Sequence, residues 1–522
     1  MQVPLTVRDH IERAAMVYGD RVGIVDEPDQ PAPPLGGGGT AGSLTYAEVL
    51  ERSRALAAGM ESLGVPRGGR VAIVSQNAAR LLTVLYGAPM WGRIAVPVNF
   101  RLQAEEVQYI VEHSGADVLL VDPELEDALS GVTAPQKFVI GAGTDEIVYR
   151  HDLEPSPWEP DEEATATINY TSGTTARPKG VEMTHRNLWV NAATFGWQAG
   201  VSDRDVYLHT LPMFHCNGWG MPYAVAGMGV RQVVLRKVDG TEILRRVDEH
   251  GVTLMCGAPA VVSMVLDAAE TWEGGVPGRG RVRIIVAGAP PPSRTIERVE
   301  TELGWEFIQI YGLTETAPLL TMNRSREEWD DLTPAQRARK LVRAGAPALG
   351  VRISTDEEGE LLARGNTVLK SYWQQPEATD AALEGGWFHT GDGGIVDEEG
   401  YVSILDRKKD VIISGGENVS SIEVEDALFS HPAVAEVAVI GIPHDKWGET
   451  VTALVVLVPG MSTTSAEDIE AELIAHCRQH LAHYKCPTSV ELRDALDRTA
   501  TGKLQKYKLR APYWEGRDRM VN

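Results

Sequence analysis

The segment Tyr170-Thr-Ser-Gly-Thr-Thr-Ala-Arg-Pro-Lys-Gly180 places four Ser/Thr hydroxyls, two glycines and two cations in one short stretch. It directly follows an apolar, strand-like run at 166–170. Backbone N–H groups, hydroxyls and positive charge aimed at one point are what a polyanion such as a nucleotide phosphate chain needs. The spacing is not that of the common P-loop, G-x-x-x-x-G-K-[ST]. Counted from Gly173, Pro178 stands where the second glycine belongs, and Lys179 is followed by Gly180 rather than Ser or Thr. The loop therefore suggests phosphates and argues against an ordinary P-loop ATPase. Clusters of Ser, Thr, Gly and Pro are more commonly plain surface turns, so its meaning depends on what accompanies it.

Four further segments accompany it in order: Tyr311-Gly-Leu-Thr-Glu-Thr316, His389-Thr-Gly-Asp392, Asp406-Arg-Lys-Lys-Asp410 with the following Ser414-Gly-Gly-Glu-Asn418, and Asp497-Arg-Thr-Ala-Thr-Gly-Lys503. Each has a plain reading. Glu315 can cap a helix, Thr-Gly-Asp is a common turn, and the basic run can be a solvated face. Chance explains one such segment far more easily than all of them in this order.

The elements that must position these residues alternate. Apolar strand runs are predicted at 71–74, 118–121, 233–235, 253–256, 282–286 and 307–311. Helical patterns are predicted at 46–63, 105–113, 241–249 and 260–269, the last just after Pro259. Near-continuous apolar strands between helices predict an α/β fold with parallel sheets covered by helices. Ligands in such folds collect beyond the carboxyl ends of the strands. After residue 350 short strands with acidic turns take over (360–364, 401–405). A compact α+β pattern then follows, with helices at 422–429 and 466–481 and strands at 434–440 and 451–458. The charge run between the two patterns reads as a boundary. It divides the chain into a large unit, 1–408, and a small one, 409–522. The Pro/Gly-rich stretch 31–39 reads as a surface insertion without chemistry, and no internal repeat is evident.

Composition narrows the classes. The chain has 522 residues, 43% hydrophobic and 23% charged, ordinary values for a water-soluble globular protein. The most apolar stretch, 81–98, is broken by Gly87, Pro89, Gly92 and Arg93, so no membrane insertion is expected. Neither the first residues nor the last match a signal peptide, retention signal or lipid anchor, and the expectation is a cytoplasmic protein. Four scattered cysteines without a C-x-x-C pair fit a reducing compartment better than a disulfide framework or zinc site. A net charge of −24 disfavours nucleic acid as the main partner.

The loop and the four segments, in this order, resemble the adenylate-forming superfamily of acyl-CoA synthetases, firefly luciferases and peptide-synthetase adenylation domains. The resemblance covers nearly the whole chain. It implies a large N-terminal domain of stacked, helix-covered sheets and a small mobile C-terminal domain. It also implies ATP, Mg²⁺ and coenzyme A as cofactors. The implied reaction joins a carboxylic acid to AMP with release of pyrophosphate, then to a thiol with release of AMP. By resemblance, Thr171, Ser172, Gly173, Thr174, Thr175 and Lys179 embrace the β- and γ-phosphates. Glu315 and Thr174 hold the metal, and Thr314 contacts the α-phosphate. Tyr311 and Gly312 meet adenine, with Gly288, Ala289 and Pro290 as the other wall. Asp392 accepts the ribose hydroxyls with help from Arg407. Lys503 bridges the carboxylate and the α-phosphate during adenylation, then withdraws when the small domain rotates about the hinge at Lys409. Ser414, Gly415 and Gly416 then line the pantetheine channel. The family most often has glycine where this chain has Ala176; a positive φ there would strain alanine.

Met213-Phe-His-Cys-Asn-Gly-Trp219 matches the carboxylate-pocket region of the family. His215 stands where a side chain borders the substrate carbonyl, and Asn217, Gly218 and Trp219 follow it. The pattern is most similar to medium- and long-chain fatty-acyl-CoA ligases, where the tryptophan position gates an acyl tunnel. Gly218 and Gly220 flank Trp219 and are expected to give the indole freedom. Gly288 and Gly312 are expected to leave room for a bulky acyl group. The implied activity is an acyl-CoA synthetase for a hydrophobic carboxylic acid. Two alternatives stay open: a ligase that loads a carrier-protein thiol, and a degenerate homologue that only binds nucleotide or acyl ligand. A homodimer is open as well.

Overall fold

The computed structural model describes residues 2–28, 42–171, 177–288, 291–407, 410–414, 417–444, 447–458, 466–498 and 504–515. Among these residues two large mixed sheets dominate the N-terminal part. The first runs, edge to edge, through Ala346–Pro347, Leu319–Asn323, Glu306–Gly312, Arg283–Val286, Leu254–Gly257, Val206–His209, Arg231–Val234, Val22–Val25 and Ser43–Thr45. Its central strands are parallel and its end strands antiparallel. The second runs through Ser371–Tyr372, Lys179–Thr184, Thr165–Thr171, Ile94–Val98, Arg70–Val74, Val118–Val121 and Gln136–Val139. Here the parallel strands give way to an antiparallel hairpin at Thr165–Thr171 and Lys179–Thr184. Strands such as Val118–Val121 and Leu254–Gly257 are buried at every position. That is why they read as continuous apolar runs rather than alternating ones.

The apolar stretch at 81–98 becomes two buried elements. The helix Ala79–Met90 is buried at all its positions and belongs to a core shared by both sheets. After the turn at Gly92 the chain enters the strand Ile94–Val98. This strand carries Pro97 although it lies inside the sheet. It pairs with Arg70–Val74 along its length but with Thr165–Thr171 only at Ala95↔Thr167. The missing proline N–H therefore falls where pairing to that second neighbour has ended. No helix among the described residues is long and apolar enough to cross a membrane.

A small antiparallel sheet follows: Arg352–Thr355, Glu360–Arg364, Phe388–Val396 and Val402–Arg407. Beyond it stands a separate sheet of Glu417–Val419, Ile412–Ser414, Gly448–Leu457 and Val434–His444, with Ser489–Leu492 added in parallel to Gly448–Leu457. The helices Ser421–Phe429 and Ala466–His480 pack against this last sheet around a core that includes Ile412, Val424, Val439, Ala453, Leu473 and Cys477. The predicted mixed α/β class, with a large N-terminal and a small C-terminal part, describes the molecule. The predicted elements recur with ends shifted by a few residues, and the strand predicted at 401–405 extends to Arg407.

Candidate active site

The loop expected to hold phosphates joins the two strands of this hairpin, whose last register pairs are Tyr170↔Gly180 and Thr171↔Lys179. Ser172, Gly173, Thr174, Thr175 and Ala176 lie outside the described residues; both flanks of the loop are defined. On the leading flank, Tyr170 shares a 2.8 Å hydrogen bond with His113 Nδ1. On the trailing flank, the Tyr109 hydroxyl donates to the carbonyl of Pro178 at 3.3 Å, and the Arg177 guanidinium lies 5.3 Å from the Tyr109 ring centroid. Tyr109 and His113 are one helical turn apart on Ala104–Ser114, so one helix face supports both ends of the loop. Burial lowers the His113 pKa, which favours the neutral imidazole.

The Lys179 ammonium sits 4.6 Å from the centroid of the Tyr372 ring, and the Tyr372 hydroxyl donates to Glu315 Oε1 at 3.0 Å. Burial, then the neighbouring Glu315 charge, pushes the Tyr372 phenol well above its usual range, so it remains a donor. The cation and the carboxylate assigned to the phosphates and metal thus meet opposite parts of one aromatic side chain. Sequence reasoning missed Tyr372. Its only signal was an aromatic pair, Tyr372-Trp373, after Lys370.

Tyr311 lies at the end of the strand Glu306–Gly312 and donates from its hydroxyl to Asp392 Oδ2 at 2.8 Å. Asp392 stands directly opposite Arg407 in the antiparallel register of Phe388–Val396 and Val402–Arg407. The expected adenine, ribose and Arg407 positions therefore converge from three segments. Gly288 has φ +98°, where glycine is favoured. Gly312 has a different role from the one expected. A Cβ there would run into the carbonyl of Pro318, so its smallness admits backbone, not an acyl chain.

The pocket segment has an unusual backbone. Cys216, Asn217, Gly218, Trp219 and Gly220 have φ of +47°, +52°, +58°, +62° and +73° in succession. L-residues rarely string left-handed conformations together, and each non-glycine costs about 1–2 kcal/mol. Such strain persists where the surroundings fix it, commonly at functional sites. Here they do. Gly218 N–H bonds to the His215 carbonyl at 3.0 Å and Gly220 N–H to the Asn217 carbonyl at 3.1 Å. Asn217 is fully buried; it donates to Thr167 Oγ1 at 3.0 Å and accepts from Asn169 Nδ2 at 3.0 Å. The Asn191 amide donates to the Trp219 carbonyl at 3.2 Å. Cys216 Sγ lies 3.9 Å from the Thr314 carbonyl, which ties this turn to the Glu315 segment. Asn217 therefore faces the core and holds the turn, rather than bordering substrate. Gly218 and Gly220 serve the left-handed path, and Trp219 packs in the main core at 5% exposure. His215, half-buried, immediately precedes the turn.

Ala289, Pro290, Lys409, Gly415, Gly416 and Lys503 lie outside the described residues. Ser414 ends a strand, opposite Glu417 and Gly448. The C-terminal part contacts the N-terminal part through Asp426, which accepts from the N–H of Ser293 at 3.0 Å.

The donors suit magnesium. Glu315 offers hard carboxylate oxygen and is linked through Tyr372 to Lys179 on the hairpin. A magnesium–nucleotide site needs one or two carboxylates plus phosphate oxygens, not an all-protein cage. The described residues contain no group of three or more His, Cys, Asp or Glu placed to hold a metal ion by themselves.

The chain is 36% identical over 97% of its length to the 2-methylpropanoate–CoA ligase CCL4 of Humulus lupulus, covering 95% of that protein. Two solved structures of the o-succinylbenzoate CoA synthetase of Bacillus subtilis superpose closely. One, with the acyl-adenylate intermediate OSB-AMP, has 29% identity and TM-score 0.79, over 96% of this chain and 97% of that one. The other, with ATP and magnesium ion, has 28% identity and TM-score 0.78, over 96% and 99%. Residues 11–373 match the model of the AMP-binding enzyme family, and residues 423–503 match that of the AMP-binding enzyme C-terminal domain. The chain belongs to the family of AMP-binding enzymes.

Proposed function

We propose that this chain is an ATP-dependent, AMP-forming acyl-CoA synthetase for a hydrophobic carboxylic acid. The observation that carries the reading is the convergence of Lys179 and Glu315 on Tyr372, with Tyr311, four residues before Glu315 in the chain, paired to Asp392, in a member of the AMP-binding family. In the first half-reaction a carboxylate oxygen bonds to the α-phosphorus of ATP and the bond to the β-phosphate breaks, releasing pyrophosphate. In the second the thiolate of coenzyme A bonds to the acyl carbon, the bond to AMP breaks, and the thiol proton goes to solvent.

Lys179 and the hydroxyls of Thr171, Ser172, Thr174 and Thr175 hold the leaving phosphates. Magnesium, when bound, neutralises their charge, and Glu315 and Thr174 are assigned to it. Thr314 contacts the α-phosphate. Tyr311 meets adenine against Gly288, Ala289 and Pro290, and Asp392 with Arg407 fixes the ribose. His215 borders the acid's carbonyl. Lys503, a point cation on a flexible stem, serves the transition state and then withdraws. Ser414, Gly415 and Gly416 line the thiol channel.

We place the domain boundary at 408/409, with Lys409 as the hinge. The separate core of the residues from Ile412 onward supports it. A reducing cytoplasmic location fits four buried cysteines that form no disulfide. The test is carboxylate-dependent exchange of pyrophosphate into ATP across a panel of linear, aryl and polycyclic acids, followed by consumption of coenzyme A. Exchange without coenzyme A consumption points to a carrier-protein thiol. No exchange with any acid sinks the enzymatic reading.

A further inference from the structure

We infer that Tyr372 is a positioning residue that sets Lys179 and Glu315 as a pair for the phosphates of ATP. The inference rests on the nucleotide reading above. The tyrosine holds both partners with different parts of one side chain. Its hydroxyl donates to Glu315 Oε1 at 3.0 Å, and its ring face lies 4.6 Å from Lys179 Nζ. It is itself 8% exposed, so its rotamer is fixed by packing.

The backbone around it shows why it stands there. Ser371–Tyr372 pairs antiparallel with the trailing strand of the phosphate hairpin, Ser371 opposite Glu182 and Tyr372 opposite Val181. Trp373 N–H donates to the Gly180 carbonyl at 2.7 Å, and Leu369 N–H donates to the Glu315 carbonyl at 2.7 Å. Ser371 Oγ also donates to the Glu182 carboxylate, whose other oxygen accepts from Thr165 Oγ1 at 2.7 Å. The short run 369–373 is thus a staple from the exit of the phosphate loop to the turn that carries Glu315.

Lysine is a flexible point cation, and an ordered ring face restricts where its ammonium waits. A phenol donor fixes one oxygen of the carboxylate and with it the plane of the group. Both charges therefore reach the phosphates with little further reorganisation. Tyr372 acts through these two residues.

The test compares the full-length protein with Tyr372→Phe, which keeps the ring and removes the hydroxyl, and Tyr372→Leu, which removes both contacts. Calorimetry measures binding of AMP and of a non-hydrolysable ATP analogue, with and without magnesium. For Tyr372→Phe, AMP binding should stay within about twofold of wild type, and the strengthening of analogue binding by magnesium should fall by roughly tenfold. Tyr372→Leu should lose a further factor of about three in magnesium-free analogue binding, as Lys179 loses its ring. An unchanged magnesium effect in Tyr372→Phe overturns the inference. So does equal loss of AMP and analogue binding in both variants, which marks a merely structural role. If the wild-type protein binds neither AMP nor analogue, the nucleotide reading fails and this inference with it.

Discussion

Tyr311 and Asp392, 81 residues apart in the chain, are joined by a 2.8 Å hydrogen bond from the phenol to the carboxylate. The bond links the end of a strand in the large sheet to a strand of the small antiparallel sheet. It orients the carboxylate proposed to receive the ribose, and one oxygen of that group is set by Tyr311. Tyr311→Phe keeps the ring for adenine and removes the donor. A hydrogen bond to a charged group is worth about 1.5–3 kcal/mol, so KM for ATP should rise at least about tenfold with kcat changed far less. Steady-state kinetics with varied ATP checks this, and an unchanged KM would contradict it.

The left-handed turn from Cys216 to Gly220 predicts unequal costs for its two glycines. At Gly218 an added Cβ would meet its nearest atoms, on Pro222, at 3.5 Å, an ordinary contact, so alanine there costs only the strained φ, about 1–2 kcal/mol. At Gly220 the same Cβ would also press on the Asn191 amide that holds the Trp219 carbonyl. Urea denaturation should place Gly220→Ala below Gly218→Ala in midpoint. The reverse order would remove the turn's dependence on Asn191.

Three histidines are buried in neutral form. Burial pulls His10, His185 and His209 down to about 4 from the usual 6.5. Below pH 6.5 the unfolded chain takes up protons at these positions, while the folded one does not until about pH 4. Stability is therefore fully present above about pH 6.5 and is lost as pH falls toward about 4, by up to about 3 kcal/mol per histidine. Urea midpoints measured from about pH 7.5 down to about 4.5 should fall through this window. Midpoints that stay flat between about pH 6.5 and 5 would show that these side chains are not held neutral.

Lys503→Ala should abolish most carboxylate-dependent pyrophosphate exchange yet leave thioester formation from supplied acyl-adenylate comparatively intact. Parallel assays of the two half-reactions decide this. Equal loss in both would argue against a lysine that serves only the first.

Lys409→Pro restricts φ at the proposed hinge and should slow the thioester step more than adenylation. Single-turnover measurement of each step checks it. A variant with both steps unchanged places the hinge elsewhere.

Much of the fold was legible because buried parallel strands need apolar residues on both faces. Runs such as Val118–Val121 therefore announce themselves without context. The stretch 81–98 was less readable. Complete burial leaves no polar face to set a period, so a helix and a strand merged into one apolar run. In the site, types and order of residues were enough to resemble a family, but not to say which way side chains turn. Asn217 points into a buried amide and hydroxyl cluster, and Gly312 makes room for the Pro318 carbonyl. Both facts depend on how the chain packs in three dimensions.

Residue types and their order set out the chemistry on offer: hydroxyls, Lys179 and glycines in one loop, Glu315 after a strand, Asp392 in a Thr-Gly-Asp run and Lys503 near the far end. Residue type and local spacing are enough for that, because phosphates and carboxylates are recognised by charge and hydrogen-bond donors. It takes the folded chain to place Tyr372 between Lys179 and Glu315, to let Tyr311 orient Asp392, and to turn five successive residues left-handed beside His215. Strand register and core packing fix those relationships, and they join residues from tens to nearly two hundred positions apart along the chain.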